Sequence, residues 1–196
     1  MKRKVIALTG KIGSGKSAVA TILRNLGYKI IDCDDLAKEV AANPRVIARV
    51  EQLLGGKSVV NGQLDRKYIR ETVFSDKNLL IQYQDIFFES VRALLLVEIA
   101  LLDSNDITEK ASRAVFVEIP VLDAFEFYWD EVWRVESSEQ NSISRVVARD
   151  KVSEESVLAM LKHQKTYDCT IVIENSGSLD ELTQAVKVAL VKRHLM

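Results

Sequence analysis

The chain has 196 residues, 47% of them hydrophobic, which favours one domain, with or without insertions, around a real core. Its 27 basic and 28 acidic residues leave a net charge of -1, so there is no chain-wide basic field for nucleic acid or an anionic membrane. Two cysteines, Cys33 and Cys169, lie far apart without any Cys/His ligand spacing, which argues against a metal cage and for reduced, buried thiols in a cytosolic protein.

Met1-Lys2-Arg3-Lys4 resembles the start of a secretory signal, but the apolar run "VIAL" reaches Thr9-Gly10 too soon for an apolar region of about 7–15 residues. The most apolar stretch, residues 91–102, carries Arg92 and Glu98 and is too short to span a bilayer. The expectation is a soluble cytoplasmic protein with no membrane or nucleic-acid partner, a monomer or weak homo-oligomer.

"KVIAL" (4–8) is a nearly continuous, β-branched apolar run ending in Thr-Gly, the pattern of a buried parallel strand. Val19, Ile22, Leu23 and Leu26 then recur at helical spacing, and Gly27 stops that helix. "KIIDC" (29–33) reads as a second strand and "DLAKEVAA" (35–42) as a second helix, giving a β-α-β unit. Pro44 opens and Gly55-Gly56 closes a helix over 44–54, and Asp65 can cap one over 66–74. Residues 77–102 hold no Gly or Pro and read as a long helix. It is apolar on more than one face, so coverage on both sides is expected. Strand signals return at 114–119, 131–136 and 170–174; 138–167 is charged and helical; Ser178 with Glu181 makes a capping box for a helix over about 179–193.

Gly10-Lys11-Ile12-Gly13-Ser14-Gly15-Lys16-Ser17 fits G-x-x-x-x-G-K-[ST] without a mismatch, between a strand and a helix as its mechanism requires. The glycines let backbone N–H groups converge on an anion, and the helix starting near Lys16 adds its positive dipole end. Lys16 would neutralise β- and γ-phosphate charge and Ser17 would offer a hydroxyl to Mg²⁺, so Gly10 through Ala18 form the candidate ATP site. The motif is silent on the acceptor. Asp32, Asp34 and Asp35 cluster where the second strand ends. A carboxylate there could orient a hydroxyl and take its proton, or Asp34 could simply cap the following helix. His163 and His194 are poor catalytic candidates, and Trp129 and Trp133 read as packing residues.

"LTGKIGSGKSAVA", "LGYKIIDCDDLAKEV", "NGQLDRKYIRETVFSD", "RVVARDKVSEESV" and "IENSGSLDEL" follow the order and approximate spacing of the dephospho-coenzyme A kinase family. The resemblance runs from Val5 to Leu182, and "IDCDDLAKEV" and "GQLDRKYIRETVF" are its specific blocks. It implies transfer of the ATP γ-phosphate to the ribose 3'-hydroxyl of dephospho-CoA, with Mg²⁺. Asp34 matches the family's catalytic aspartate and Asp32 the first aspartate of that motif, on the acceptor side. Arg145, Arg149 and Asp150 match a lid motif, with Arg145 catalytic and Arg149 on ATP. Arg66 and Arg70, four apart on one helical face, could meet the acceptor's diphosphate or face solvent. Glu118 matches an acid that can hold Mg²⁺ through water, or it is a strand-end carboxylate paired with a lysine.

The chain departs from the family in three places. Phe87-Phe88 stands where a His-Pro pair is usual, leaving Phe87 as an aromatic wall toward the acceptor. "PVLDA" (120–124) puts Ala124 where the family has glutamate, with Asp123 and Glu126 nearby but out of register. The stretch after Gln164 is shortened, with Lys165 its remaining cation. The expected fold is α/β: a P-loop NTPase-type parallel five-stranded sheet flanked by helices, in one kinase unit. Its core would be about 1–35, 112–137 and 168–196, with a helical acceptor-binding insertion at about 36–111 and a short helical lid at about 138–167. The other readings are a P-loop kinase of another small hydroxylated substrate, such as a nucleoside or nucleotide, and a non-catalytic nucleotide-binding relative.

Overall fold

The computed structural model describes residues 3–104, 110 and 113–196. The boundary expected at 111–112 and the Met1-Lys2 pair lie outside them. By contacts the chain divides into two compact units, Met1–Asp32 with Leu101–Met196, and Cys33–Ala100.

The first unit is built on a five-stranded parallel sheet. Strands β1 (Lys4–Thr9), β2 (Lys29–Asp32), β5 (Ala114–Glu118), β6 (Glu131–Glu136) and β7 (Ile171–Glu174) lie in the order β2-β5-β1-β6-β7. β1 is central because it is apolar on both faces: Ile6, Ala7 and Leu8 are fully buried between parallel neighbours β5 and β6. Helix α1 (Lys16–Asn25) follows β1 and turns Val19, Ala20, Ile22 and Leu23 onto the sheet. The C-terminal helix α8 (Leu179–Lys192) joins the same core through Leu182, Val186, Ala189 and Leu190, and its Ser178–Glu181 capping box is formed. Phe116 packs edge-on against both Tyr28 and Trp133, with centroids 5.4 and 5.0 Å apart. Side chains of this size contribute about 1.5–3 kcal/mol each when fully buried. Two helices between β6 and β7, α6 (Glu139–Asp150) and α7 (Glu154–His163), bury a small cluster of their own: Ile143, Val146, Val157 and Leu161.

The second unit carries α2 (Cys33–Ala42), α3 (Pro44–Leu54), α4 (Arg66–Ser75) and most of α5 (Lys77–Ser104). Asn43 and Asp65 cap α3 and α4 through their side chains, with Pro44 at the start of α3 as expected.

Three expectations change, and one element appears that none of them covered. Helix α2 begins at Cys33, directly after β2, so Asp34 lies inside its first turn and is not its cap. Helix α5 is not covered on both sides: Ile86, Val91, Leu95 and Leu102 are buried, while Leu96, Val97 and Leu101 are about half exposed. Cys33 is buried, but Cys169 is only half-buried, and neither is in a disulfide. A two-stranded hairpin, β3 (Val59–Val60) with β4 (Gln63–Leu64), turns at Asn61-Gly62, both at positive φ. That dipeptide is a strong local hairpin signal in the sequence.

Candidate active site

The glycine loop leaves the C-terminal tip of the central strand. Its turn requires left-handed backbone at Gly13 (φ 75°) and Gly15 (φ 96°). A Cβ at Gly13 would run into the Ser142 backbone, and one at Gly15 into the Asn175 side-chain amide. Gly15 is also the N-cap of α1 and supplies no side-chain cap, so the first amides of that helix keep their positive pole toward the loop. Lys16 Nζ donates to the Gly10 carbonyl at 2.8 Å, folding over the loop's opening. Ala18 closes the first turn, its amide bonded to Gly15 O at 3.0 Å. The hydroxyls of Thr9 and Ser14 are buried and have no hydrogen-bond partner among the described residues.

Ser17, at the start of α1, donates its hydroxyl to Glu118 Oε1 at 2.9 Å. Glu118 is the last residue of β5 and only 8% exposed. Its neighbours in register are Leu8 of β1 and Asp32 of β2. The sheet therefore gathers the loop, Ser17, Glu118 and Asp32 at the edge where open α/β sheets bind ligands.

The far side of the loop is held by residues the sequence marked differently or not at all. The Arg145 guanidinium donates to Gly13 O (3.2 Å), Ser14 O (3.5 Å), Ser137 Oγ (3.0 Å) and Asn175 O (2.9 Å). Asn175 Nδ2 donates to Ser14 O at 2.7 Å and is buried. The Ile12 amide donates to Gln164 Oε1 at 2.8 Å. Arg149 is exposed and pairs through two bonds, 2.6 and 2.8 Å, with its neighbour Asp150, which raises the Arg149 pKa and lowers that of Asp150. Asn175 and Gln164 had a signal, since both sit in or beside family blocks, but nothing in their spacing shows what they touch.

A cavity of about 910 Å³ opens beside the loop, lined by Thr9, Gly10, Lys11, Gln164, Lys165 and Tyr167 among others. Across its rim Asp123 accepts from Lys165 Nζ (2.5 Å) and Tyr167 Oη (2.6 Å). Those two bonds, Lys165 first, hold the Asp123 carboxyl below its usual range. The out-of-register acid and the remaining cation of the shortened stretch thus meet.

In the second unit, a cleft of about 640 Å³ is lined by Asp34, Arg66, Arg70 and Phe87 together with Lys38 and Tyr83. Four residues selected from the sequence therefore share one cleft. Arg66 and Arg70 are exposed cations on α4, and Phe87 stacks at a tilt on Tyr83, centroids 4.9 Å apart. Burial pushes the Tyr83 phenol up, with the Arg66 charge pulling the other way. Leu64, Ile69, Val73, Phe74 and Leu80 make much of the remaining wall apolar. Such a wall with a few cations suits an amphipathic anion.

Among the described residues no helix is long and apolar enough to cross a membrane. A family model described as "Dephospho-CoA kinase" matches residues 4–181. A dephospho-CoA kinase of Thermus thermophilus is 36% identical, over 95% of this chain and 90% of that one. One from Streptococcus thermophilus is 29% identical, over 95% and 96%. A crystal structure from Thermus thermophilus superposes with TM-score 0.81 at 34% identity, covering 98% of both chains. A dephospho-CoA kinase from Campylobacter jejuni gives 0.68 at 26%, again covering 98% of both. With a family model spanning nearly the whole sheet and insertion, and a full-length relative above 30% identity, this chain belongs to the dephospho-CoA kinase family.

Proposed function

We propose that this protein is a dephospho-CoA kinase that moves the γ-phosphoryl group of ATP onto the ribose 3'-hydroxyl of dephospho-CoA, releasing ADP and coenzyme A. The observation that carries the proposal is the loop Gly10–Ser17 at the tip of β1, with Ser17 bonded to the buried Glu118 of β5. Loop amides and the α1 dipole bind the phosphates of ATP, and Lys16 leaves the Gly10 carbonyl to neutralise the transferring group. Asp34 orients the 3'-hydroxyl and accepts its proton as the new P–O bond forms. Arg66, Arg70 and Lys38 meet the acceptor's diphosphate, and Phe87 with Tyr83 lies against its apolar arm. Asp32, at the end of β2, supports the acceptor side.

Magnesium enters as part of the same proposal. Ser17 Oγ and Glu118 Oε1 are hard oxygen donors 2.9 Å apart. Mg²⁺ takes one or two protein ligands beside phosphate oxygens, so this pair fits it, with Glu118 acting through water. When bound it neutralises charge on the β- and γ-phosphates. The partners proposed are ATP and dephospho-CoA, not nucleic acid, and the protein works in the cytoplasm as a monomer or weak homo-oligomer. The balanced charge supports leaving out nucleic acid.

A coupled ADP-release assay with ATP-Mg²⁺ tests the reading, offering dephospho-CoA first and then a panel of nucleosides and nucleotides. Turnover with dephospho-CoA and coenzyme A as product is the expected result. Turnover only with a nucleoside or nucleotide acceptor, or ATP binding with no acceptor-dependent turnover, would overturn it.

A further inference from the structure

Ile12 occupies a variable position of the glycine loop, where an exposed residue would serve. Instead its side chain packs against the small core between α6 and α7, whose buried members are Ile143, Val146, Val157 and Leu161. Its amide donates to Gln164 Oε1 at 2.8 Å. Gln164 is the residue that ends α7, and its own amide closes on Leu161 O at 3.3 Å. One residue of the loop is thus held twice by the same helix pair, once by packing and once by a hydrogen bond. The next residue, Gly13, lies so close to Ser142 of α6 that a Cβ would strike its backbone. The helix pair and the loop therefore form one mechanical piece.

We propose that Gln164 is a positioning residue for the nucleotide. By accepting from the Ile12 N–H it fixes the peptide plane that begins the run of phosphate-facing amides, and it makes the pose of α7 part of the ATP site. The same contact could be read with the opposite sign, as a side chain plugging an amide that phosphate must win back. The two differ in what losing the acceptor does: a positioning contact weakens ATP binding when lost, and a plug strengthens it. Packing favours positioning, because Ile12 is anchored in an apolar cluster that a phosphate would not displace.

The inference rests on the loop being the ATP site, and Lys16→Ala tests that separately. Calorimetry should show ATP binding by the wild-type protein and none by Lys16→Ala; equal binding by the two would overturn both readings. The proposal itself is judged on Gln164→Met, which keeps length and removes the acceptor. The KM and the Kd for ATP should rise about fivefold, the size of one lost neutral hydrogen bond. The loss falls on ATP affinity rather than on kcat or the KM for dephospho-CoA, and melting confirms that the variant is folded. Ile12→Ala should also weaken ATP binding, and the double variant should lose less than the product of the two single effects, because both act through one element. An unchanged or lowered KM for ATP in Gln164→Met, or single effects that multiply in full, overturns the proposal.

Discussion

Ser17 and Glu118, 101 positions apart in the chain, are joined by a 2.9 Å hydrogen bond between the first turn of α1 and the tip of β5. A carboxylate only 8% exposed at a sheet's ligand edge carries a desolvation cost. A cation that both oxygens serve offsets that cost. Glu118→Gln keeps the shape and removes the charge. We expect the Mg²⁺ concentration for half-maximal rate to rise about 10–100-fold, the usual effect of losing an outer-shell partner. Rate measured against Mg²⁺ at fixed ATP checks this, and a curve that does not move assigns Glu118 to structure alone.

Asp34 lies in the first turn of α2, an exposed acid at the positive end of a helix dipole. As a purely structural group it is worth about 0.3–1 kcal/mol. As the group that takes the acceptor's proton it is worth about 10²–10⁴ in rate. Asp34→Asn should therefore lower kcat by that factor while Tm and ATP affinity hardly change. Near-normal kcat in the folded variant would assign Asp34 to structure alone.

Arg145 spends its guanidinium on four acceptors around the loop, three of them carbonyl oxygens. That arrangement needs a planar fork, which lysine lacks. Arg145→Lys should raise the KM for ATP by roughly 10–100-fold, as loss of a charged hydrogen-bond set does, and lower Tm as well. If only kcat fell, with affinity and Tm intact, the guanidinium would be acting on the transferring phosphate, as the family resemblance implies for a lid arginine.

The parts of this fold that were legible in the sequence are those that local chemistry decides. Pro44, Asp65 and the Ser178–Glu181 box mark helix starts that the structure reproduces to the residue. The sheet strands announced themselves by apolar runs, and the glycine loop by a motif whose spacing is its mechanism. What stayed hidden depends on which chain segments meet. No periodicity in "IENSG" says that Asn175 will close on Ser14, 161 positions away, and nothing at Gln164 points to Ile12. Helix α5 misled for a related reason: an apolar sequence shows what could be buried, and only tertiary structure decides that Leu96, Val97 and Leu101 are not. The hairpin at Asn61-Gly62 went unread, although its turn dipeptide is a local signal.

Away from the site, Glu131 predicts a pH-dependent stability. Its carboxylate is 2% exposed and accepts from Lys4 Nζ (2.7 Å), two Arg193 nitrogens (3.0 Å each) and Trp133 Nε1 (2.9 Å). Burial alone would raise its pKa, but the bonds from Arg193, Lys4 and Trp133 together outweigh it and hold the group below its ordinary range. A folded pKa below the unfolded one means that stability is fully present above the ordinary carboxylate range. It is then lost as pH falls through the depressed value. The cluster ties the first residue of β1 to the first of β6 and to the residue after α8, so its loss is felt across the sheet. Lys4 and Arg193 are 37% and 36% exposed, so Glu131→Gln leaves them partly hydrated and should cost less than the ~3–5 kcal/mol of a fully buried pair. A loss of about 2 kcal/mol lowers Tm by roughly 4–8 °C in a chain of this size. Melting both proteins from neutral to acid pH should show that gap at neutrality and its closure as the wild-type carboxylate takes up a proton. A gap that stays constant throughout would mean that Glu131 contributes by packing and not by charge.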